Sequence, residues 1–465
     1  MKNHSYLRAF LPYALAAFLV GIVGGFSTVL GPAFVRDIGI DYSNTTWTAL
    51  SQAISTAACA PALGKLCDAL GRRRTLLLGL SVFTLGNFLT VPAGSLIAMM
   101  VARFIVGMGT AAITPVILSY IATEFPADAV ASGFSLYMLI SSASVVFGPT
   151  LGALMTESFG WRGMIFVCCI ISTAVFLACL LLDREKAAIK RSAFSNFDTL
   201  GSGCILLFFG LVLCIPSFGQ NFGWTSVPFL VVLALSAITL PVLVLAERRA
   251  AVPILQANFL ARRRFILPIL ALFLTQGLMQ ANMTNTIIFV NYTRPENTLI
   301  SGYAISILYL GMSLGSIIAG PLADKREPKN ILTATFLLTG AGCALMLLFS
   351  EYTSTLLLAA SLGILGFGLG GNGAIFMKIV LSDLSGETAG AGTGIYGLFR
   401  DLAAPFGVAV FVPMFTNQVS NFIESGAFSA PAAAVRSVHL LSITELICVG
   451  IGIIVVRLLP SIHPE

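Results

Sequence analysis

The sequence predicts an all-α polytopic membrane protein of fourteen membrane-spanning helices, in two six-helix halves with two additional helices between them. Three observations lead to this fold class. The 465-residue chain is 57% hydrophobic with a mean hydropathy of +0.94, which is more apolar side chain than a soluble interior can hold. Apolar runs of about 20 residues recur along its whole length, and each can cross a bilayer as a helix. A charged segment that follows the second run returns in a weaker form after the tenth.

The spans are placed on the apolar runs, and charged or turn-forming residues mark their ends. The first run is too long for a cleavable signal peptide and lacks a clear small-residue cleavage site, so it is interpreted as the first span. An even number of spans puts both termini on the same side. The predicted spans are residues 9–30, 46–66, 75–95, 97–120, 131–155, 162–182, 198–218, 226–246, 265–290, 299–321, 330–350, 354–378, 390–415 and 437–458.

Lys and Arg are divided unequally between the two sides of the membrane. The side of the termini holds 20 of the 26, the opposite side holds four, and two fall inside spans. Because cytoplasmic loops carry the excess of Lys and Arg, both termini are predicted to be cytoplasmic, in a cell membrane. The net charge of +6 follows from this orientation, so no nucleic-acid partner is expected. The expected partners are the lipid bilayer and a small-molecule substrate, with the protein acting as a monomer.

The polar segment after the sixth span suggests the domain boundaries. We expect a six-helix half over 1–182, a cytoplasmic linker over 183–197, two additional helices over 198–250 and a second six-helix half over 251–465. Two halves related by an axis along the membrane normal are a transporter plan, in which substrate binds near the bilayer midplane.

The repeated charged segment is the first candidate for a moving part. In its first copy, Gly64 and Gly71 are expected to permit a tight turn and a close helix approach. Asp68 is placed to cap the next helix, or to pair with an Arg across the two halves in one conformation only. The alternative is a loop that only sets membrane orientation. The residues of this predicted latch loop are Gly64, Asp68, Gly71, Arg72, Arg73 and, in the second copy, Asp324.

The spacing G-x-L-x-D-x-x-G-R-R of this loop resembles the signature of the major facilitator superfamily. Arg103 to Gly109 in the fourth span resembles the R-x-x-x-G motif of that family. Gly148, Pro149 and Gly152 in the fifth span resemble the G-P-x-x-G motif associated with exporters that exchange substrate for protons. The resemblance extends to the 14-helix drug:proton antiporter branch through Trp47, Trp161, Arg162, Phe197, Asp198, Gly201, Arg400 and Gly407. It implies a major facilitator fold and transport driven by an ion gradient, without a cofactor or metal.

One departure from that branch concerns proton coupling. Val23 stands about where the branch carries an acid midway along the first helix. A coupling proton would therefore need another carrier. Four charged residues that lie inside predicted spans are the candidates, because intramembrane charges are expensive and commonly functional. They are Arg103, Arg400, Asp401 and Glu445.

A role in proton coupling is not the only interpretation of these four charged residues. By the resemblance, Arg103 relays protonation changes, but it could equally be a hydrogen-bond anchor between helices. Adjacent helical residues point about 100° apart, so Arg400 and Asp401 cannot face the same partner. Glu445 lies in an apolar stretch of the last span and is either a proton carrier or a permanently neutral hydrogen-bonding group.

Amide side chains inside spans are candidates for a substrate cavity. The ninth span opens the second half, and a helix in that position lines the cavity in this fold, according to the resemblance. Amides there can bind a substrate without a fixed charge, although pairing between helices is the alternative. The candidates are Gln52, Gln276, Gln280, Asn282 and Asn372.

The leading hypothesis is a secondary active transporter that exports small amphipathic or lipophilic compounds in exchange for protons. The sequence has no nucleotide-binding loop, which points to an ion gradient as the energy source. The closest alternative is a proton symporter that imports an amphipathic organic acid, with Arg103 or Arg400 meeting its carboxylate. A membrane sensor or enzyme is a third class, but neither an extramembrane domain nor a catalytic constellation supports it.

Overall fold

A computed structural model of the chain describes residues 5–40, 42–125, 130–182, 199–249, 262–297, 299–381 and 386–459. Within these ranges the ordered structure is α-helical and contains no strand. The helices, in order, are α1 (Ser5–Thr28), α2 (Gly31–Ile38), α3 (Tyr42–Leu70), α4 (Arg72–Thr90), α5 (Leu96–Glu124), α6 (Val130–Leu182), α7 (Thr199–Phe222), α8 (Val227–Arg249), α9 (Arg263–Thr293), α10 (Leu299–Lys325), α11 (Pro328–Met346), α12 (Thr355–Leu381), α13 (Gly386–Glu424) and α14 (Ala430–Arg457).

The helix α6 contains two of the predicted spans. Its backbone is interrupted at Gly160, whose φ of 69° and ψ of 167° are not helical. A single glycine can make this break because it has no Cβ to oppose a positive φ. With α6 counted as two segments and the short α2 set aside, the described chain has the fourteen long helical segments that the sequence predicts.

Ten helices of the described chain are both long and apolar enough to cross a membrane. The longest of these stretches, Leu139–Leu181, includes the break at Gly160. At 1.5 Å per residue it is about twice as long as a ~30 Å hydrocarbon core requires, which leaves room for two crossings. Two further predicted spans, α3 and α4, are helical but more polar along their length, and α7 contains a shorter apolar stretch over Gly203–Val212. The predicted fold class is confirmed.

The first compact unit comprises Met1–Val212 and Leu233–Val252. Within it, α1 packs along α6, α5 packs against both α3 and α4, and α4 also contacts α6. Glycines allow the closest of these approaches. A Cβ on Gly25 of α1 would lie 2.7 Å from the Cα of Gly148 in α6, so the two backbones are in direct contact.

The second compact unit comprises Leu213–Val232 and Pro253–Glu465. Here α9 packs along α13, α12 packs against both α10 and α11, and α11 also contacts α14. This is the packing order of the first unit, repeated by the last six helices. The crossing of α9 and α13 also joins two glycines, since a Cβ on Gly407 would lie 2.4 Å from the Cα of Gly277. The helices α7 and α8 make no extensive contact with another helix in the described ranges.

The helix α2 and the break in α6 are joined by a polar cluster. The Asp37 carboxylate accepts a hydrogen bond of 2.8 Å from Trp161 Nε1 and another from the Arg162 guanidinium. That guanidinium lies 4.2 Å from the centre of the Trp161 ring, and the Phe34 ring meets the same indole edge-on at 5.1 Å. The hydrogen bonds from Trp161 and then Arg162 hold the pKa of Asp37 below its usual value.

Candidate functional site

The predicted latch loop is shorter in the structure than expected. The helix α3 continues to Leu70 and α4 begins at Arg72, so the turn consists of Gly71 alone, with a φ of 85°. Gly71 supplies the conformation predicted for it. Gly64, in contrast, lies inside α3 and takes no part in the turn, which corrects that expectation.

The arginines of this loop bind partners within the first unit. Arg72 forms an ion pair of 2.5 Å with Glu124 at the end of α5, and its guanidinium lies 5.5 Å from the centre of the Tyr120 ring. Arg73 donates a hydrogen bond of 3.0 Å to the carbonyl of Leu180, near the C-terminus of α6. A cation at a helix C-terminus is favourable, because the last carbonyls lack partners in the helix. The loop thus ties α4 to α5 and α6.

The predicted latch loop also includes two acids. Asp68 belongs to α3 and Asp324 to α10, but their side chains are outside the described residues. A role for them as a conformational latch stays a prediction.

Arg103 is buried in the first unit, with 4% of its surface exposed. Its Nη1 donates a hydrogen bond of 3.1 Å to Ser27 Oγ in α1, and that hydroxyl donates a bond of 2.9 Å to the carbonyl of Val23. Cys168 of α6 is its other close neighbour. Arg103 therefore meets α1 one turn from the position where an acid was expected, through a neutral hydroxyl. No carboxylate among the described side chains pairs with it.

The antiporter-type motif lies at the crossing of α1 and α6. Gly148 contacts Gly25 backbone to backbone, and a Cβ on Gly152 would lie 2.8 Å from the Cα of Phe26. Pro149 is buried, and its Cδ is 3.1 Å from the Cβ that Gly25 lacks. The motif thus permits close helix packing. Gly148, Pro149 and Gly152 themselves offer no polar side chain for binding a substrate.

Glu445 and Asn282, a carboxyl and an amide side chain, form a deeply buried pair in the described second unit. Asn282 Nδ2 in α9 donates a hydrogen bond of 2.8 Å to Glu445 Oε1 in α14, and the two residues are 2% and 0% exposed. The other carboxyl oxygen, Oε2, is buried and has no hydrogen-bond partner among the described atoms. Cys343 of α11 and Cys448 of α14 are the neighbouring thiols. The structure therefore joins a predicted coupling residue to a predicted cavity residue.

The remaining cavity candidates have mixed surroundings. Asn372 is buried, and its Oδ1 accepts a hydrogen bond of 2.5 Å from Thr335 Oγ1, which joins α12 to α11. Asn282 and Asn372 thus serve helix pairing in this conformation, the alternative stated for both. Gln52, Gln276 and Gln280 are partly buried. Arg400 is exposed, and the side chain of its neighbour Asp401 lies outside the described residues.

Two polar residues beside Glu445 were not among the predicted site residues. Ser442 lies three residues before Glu445 on α14, and its Oγ is buried without a described partner. Asn285 lies three residues after Asn282 on α9, and its Oδ1 is in the same situation. The spacing of three residues, which puts side chains on one helix face, was the signal in the sequence that could have identified them.

The fold and these buried groups define a class of protein, a polytopic membrane transport protein built on an internal repeat. Comparison with known proteins gives the family. The family model of the Major Facilitator Superfamily matches residues 13–408, and the chain belongs to that family. It is a transport protein and not an enzyme, and the resemblance inferred from the motifs is confirmed.

Several known proteins are similar over most of the chain. "Multidrug resistance protein Stp" of Mycobacterium tuberculosis is 25% identical, over 91% of this chain and 78% of that protein. "Puromycin resistance protein pur8" of Streptomyces alboniger is 25% identical, over 94% and 87%. Among solved structures, the POT family transporter PepTSo matches with a TM-score of 0.69 at 13% identity, over 98% of each chain, which supports the fold.

Proposed function

We propose that this protein is a secondary active transporter that exports small amphipathic or lipophilic compounds in exchange for protons. The observation that carries the proposal is the similarity, over about nine-tenths of the chain, to relatives whose names state multidrug and puromycin resistance. The packing supports it further. Each six-helix set has crossings in which backbones touch, so each can move as a rigid body in an alternating-access cycle.

The carrier that we propose for the coupled proton is Glu445. A carboxylate without a cation partner is costly in a buried site, because the loss of hydration is not repaid. Glu445 is fully buried, and the polar groups beside it are the Asn282 amide, which donates a hydrogen bond to it, and the Cys343 thiol. A group that is neutral when buried and charged when hydrated can take up a proton on one side of the membrane and release it on the other. Glu445 would take the role of the first-helix acid, in whose place this chain has Val23.

Arg103 supports a second candidate function. It is a buried cation whose described partner is a hydroxyl, so it could receive the carboxylate of a substrate. This arrangement favours the import of an amphipathic organic acid by proton symport. For both functions we propose cytoplasmic termini, a monomer and no cofactor beyond the ion gradient.

Transport by inverted membrane vesicles with an internal pH dye distinguishes the two functions. Under the export proposal, adding a lipophilic cation dissipates a preformed acidic interior, and Glu445→Gln abolishes this response. Asp401→Asn, which changes the other intramembrane acid, serves as the comparison and is expected to retain it. If lipophilic cations give no response while right-side-out vesicles accumulate an amphipathic acid, the export proposal is wrong. A Glu445→Gln variant with wild-type proton exchange would exclude Glu445 as the carrier.

A further inference from the structure

The helix α14 carries a stripe of three polar residues at intervals of three. His439, Ser442 and Glu445 follow one another at steps of about 60° around the helix, each about 4.5 Å further along the axis, so Ser442 lies between the other two. Their burial increases along the stripe. His439 is partly buried, whereas Ser442 and Glu445 are both 0% exposed. The stripe therefore leads over about 9 Å from near the Ala430 end of α14 to the buried carboxyl group.

The helix α9 runs alongside the part of α14 that carries these three polar residues. Asn282 meets Glu445, and Asn285 lies one turn nearer the C-terminus of α9. One further turn along, the Phe289 ring lies 5.4 Å from that of Phe349, whose carbonyl is 3.0 Å from His439 Nε2. The contacts at both ends therefore show that α9 runs antiparallel to the stripe. Asn285 is accordingly at the level of Ser442.

Three buried oxygens without partners lie on these stretches of α14 and α9. They are Glu445 Oε2, Ser442 Oγ and Asn285 Oδ1, and none has a hydrogen-bond partner in the part of the chain that the structure describes. Leaving such an atom unpaired costs about 1–3 kcal/mol, and ordered water is the usual remedy. Side chains three residues apart on a helix have Cβ atoms about 5–6 Å apart, so one water can bridge each pair.

We propose that His439, Ser442 and Glu445 form a proton pathway that connects the carboxyl group to the membrane face at the Ala430 end of α14. A proton from bulk water binds the His439 imidazole and passes through a bridging water to the Ser442 hydroxyl. That hydroxyl accepts one proton and gives up another, which is then transferred to the Glu445 carboxylate. The imidazole and the hydroxyl end as they began, and a carboxylate has become a carboxylic acid. The inference rests on the proposed function, because it supplies the entry route to the carrier proposed there.

The surroundings of Glu445 favour this route. The groups that face it are the Asn282 amide of α9, the Cys343 thiol of α11 and, on α14 itself, Cys448. No charged side chain of the described chain contacts the carboxyl group. The distribution of Lys and Arg assigns the Ala430 end to the outside. Protons would thus enter from the side on which an exporter releases its substrate.

Time-resolved infrared spectroscopy of the protein in proteoliposomes tests the pathway. After an acid jump on the Ala430 side, the carbonyl band of protonated Glu445 should appear, identified by its absence in Glu445→Gln. Ser442→Ala and His439→Gln should lower the rate at which the band appears by about 100-fold without reducing its final amplitude. A positioned proton-transfer group contributes at least that factor to the rate. Ser442→Thr keeps the hydroxyl and should restore the rate. Thr444→Val removes a hydroxyl that donates to Leu440, off the stripe, and should match the wild type.

The outcomes distinguish a failure of the proposed pathway from a failure of Glu445 as the proton carrier. If Glu445→Gln keeps proton-coupled transport and every carbonyl band, Glu445 is not the carrier, and the proposed coupling and the pathway both fail. If Glu445→Gln loses coupling while Ser442→Ala and His439→Gln protonate at the wild-type rate, the pathway is wrong and the carrier stands. If Ser442→Ala is too unstable to purify, a slow band in His439→Gln supports the pathway and a wild-type rate overturns it.

Discussion

At the scale of single residues, the bond between Asn282 and Glu445 makes a prediction about stability. Asn282→Leu removes the hydrogen bond to Oε1, so both carboxyl oxygens are then buried without a partner. We expect this change to lower the free energy of unfolding by about 1–3 kcal/mol. Replacing both residues in Asn282→Leu/Glu445→Leu leaves no unsatisfied polar group at these two positions, and most of the loss should be recovered. Thermal unfolding in detergent measures both variants against the wild type.

The single change Glu445→Leu completes this double-mutant cycle. It leaves the Asn282 amide with its bond of 3.0 Å to the Leu278 carbonyl, so it should cost less than Asn282→Leu. If the two single changes simply add in the double variant, the pair has no coupling energy, and the hydrogen bond does not stabilise the fold.

Asp37 makes a prediction about pH. Its pKa is lowered in the folded state by hydrogen bonds from Trp161 and Arg162. A carboxyl group of this kind stabilises the fold fully above its unfolded pKa of about 3.9, and the contribution is lost as the pH falls through the lower folded value. Acidification to about pH 3 should therefore destabilise the wild type more than Asp37→Asn, as measured by thermal unfolding.

A nearby carboxylate gives the control for Asp37. Glu157 lies exposed on α6, without a hydrogen bond or an ion pair in the described structure. Glu157→Gln should leave the acid sensitivity of the wild type unchanged. Equal acid sensitivity of the wild type and Asp37→Asn would show that the cluster does not contribute to stability.

At the scale of the helices, two adjacent glycines of α1 make a matched prediction. A Cβ on Gly25 would lie 2.7 Å from the Cα of Gly148, and backbone cannot yield as a side chain can. A Cβ on Gly24 would meet nothing within 4 Å. Gly25→Ala should lower the free energy of unfolding by about 1–3 kcal/mol through overpacking. Gly24→Ala should be neutral or stabilising by up to about 1 kcal/mol, since alanine favours helix.

A transport assay distinguishes a loss of function caused by altered helix packing from a loss of fold stability. If the crossing of α1 and α6 maintains the shape needed for export, Gly25→Ala should also lose transport at temperatures where it remains folded. Equal stability of the two alanine variants, as measured by thermal unfolding, would contradict the close contact of Gly25 with Gly148.

The helices also show what a sequence pattern can predict. Apolar runs that end at charged residues give most ends of the long segments within about five residues, because hydrophobic length is a property of each segment alone. The exceptions are the end of α13, which comes after the predicted residue 415, and the start of α14, which comes before the predicted residue 437. The eight-residue α2 gives no such run, and tertiary contacts such as that of Asp37 with Trp161 place it. The turn at Gly71 could be predicted as a turn. Its one-residue length could not, because the ends of α3 and α4 depend on tertiary contacts such as Arg72 with Glu124.

At the scale of the whole molecule, the repeat was predictable but the pairing of its buried polar groups was not. Two copies of a charged segment mark equivalent positions in two sets of six helices, and the packing order within each unit agrees. Asn282 and Glu445, however, are 163 residues apart in sequence. Which faces of α9 and α14 meet is decided by packing, and no local spacing records it. The same applies to Arg103, whose hydrogen bond to Ser27 spans 76 residues.

Membrane orientation makes the last prediction. With 20 of the 26 basic residues on the side of the termini, both termini should be cytoplasmic, and the turn around Gly426 should be outside. This turn lies between α13 and α14, and its backbone at Gly426 has a φ of 68°. An epitope inserted after Gly426 should bind antibody on intact cells, whereas one added after Glu465 should need permeabilised cells. The reverse labelling would open the His439 end of the proposed pathway to the cytoplasm. Protons would then load Glu445 from the side on which an exporter collects its substrate, so the proposed pathway could not supply protons for export by proton exchange.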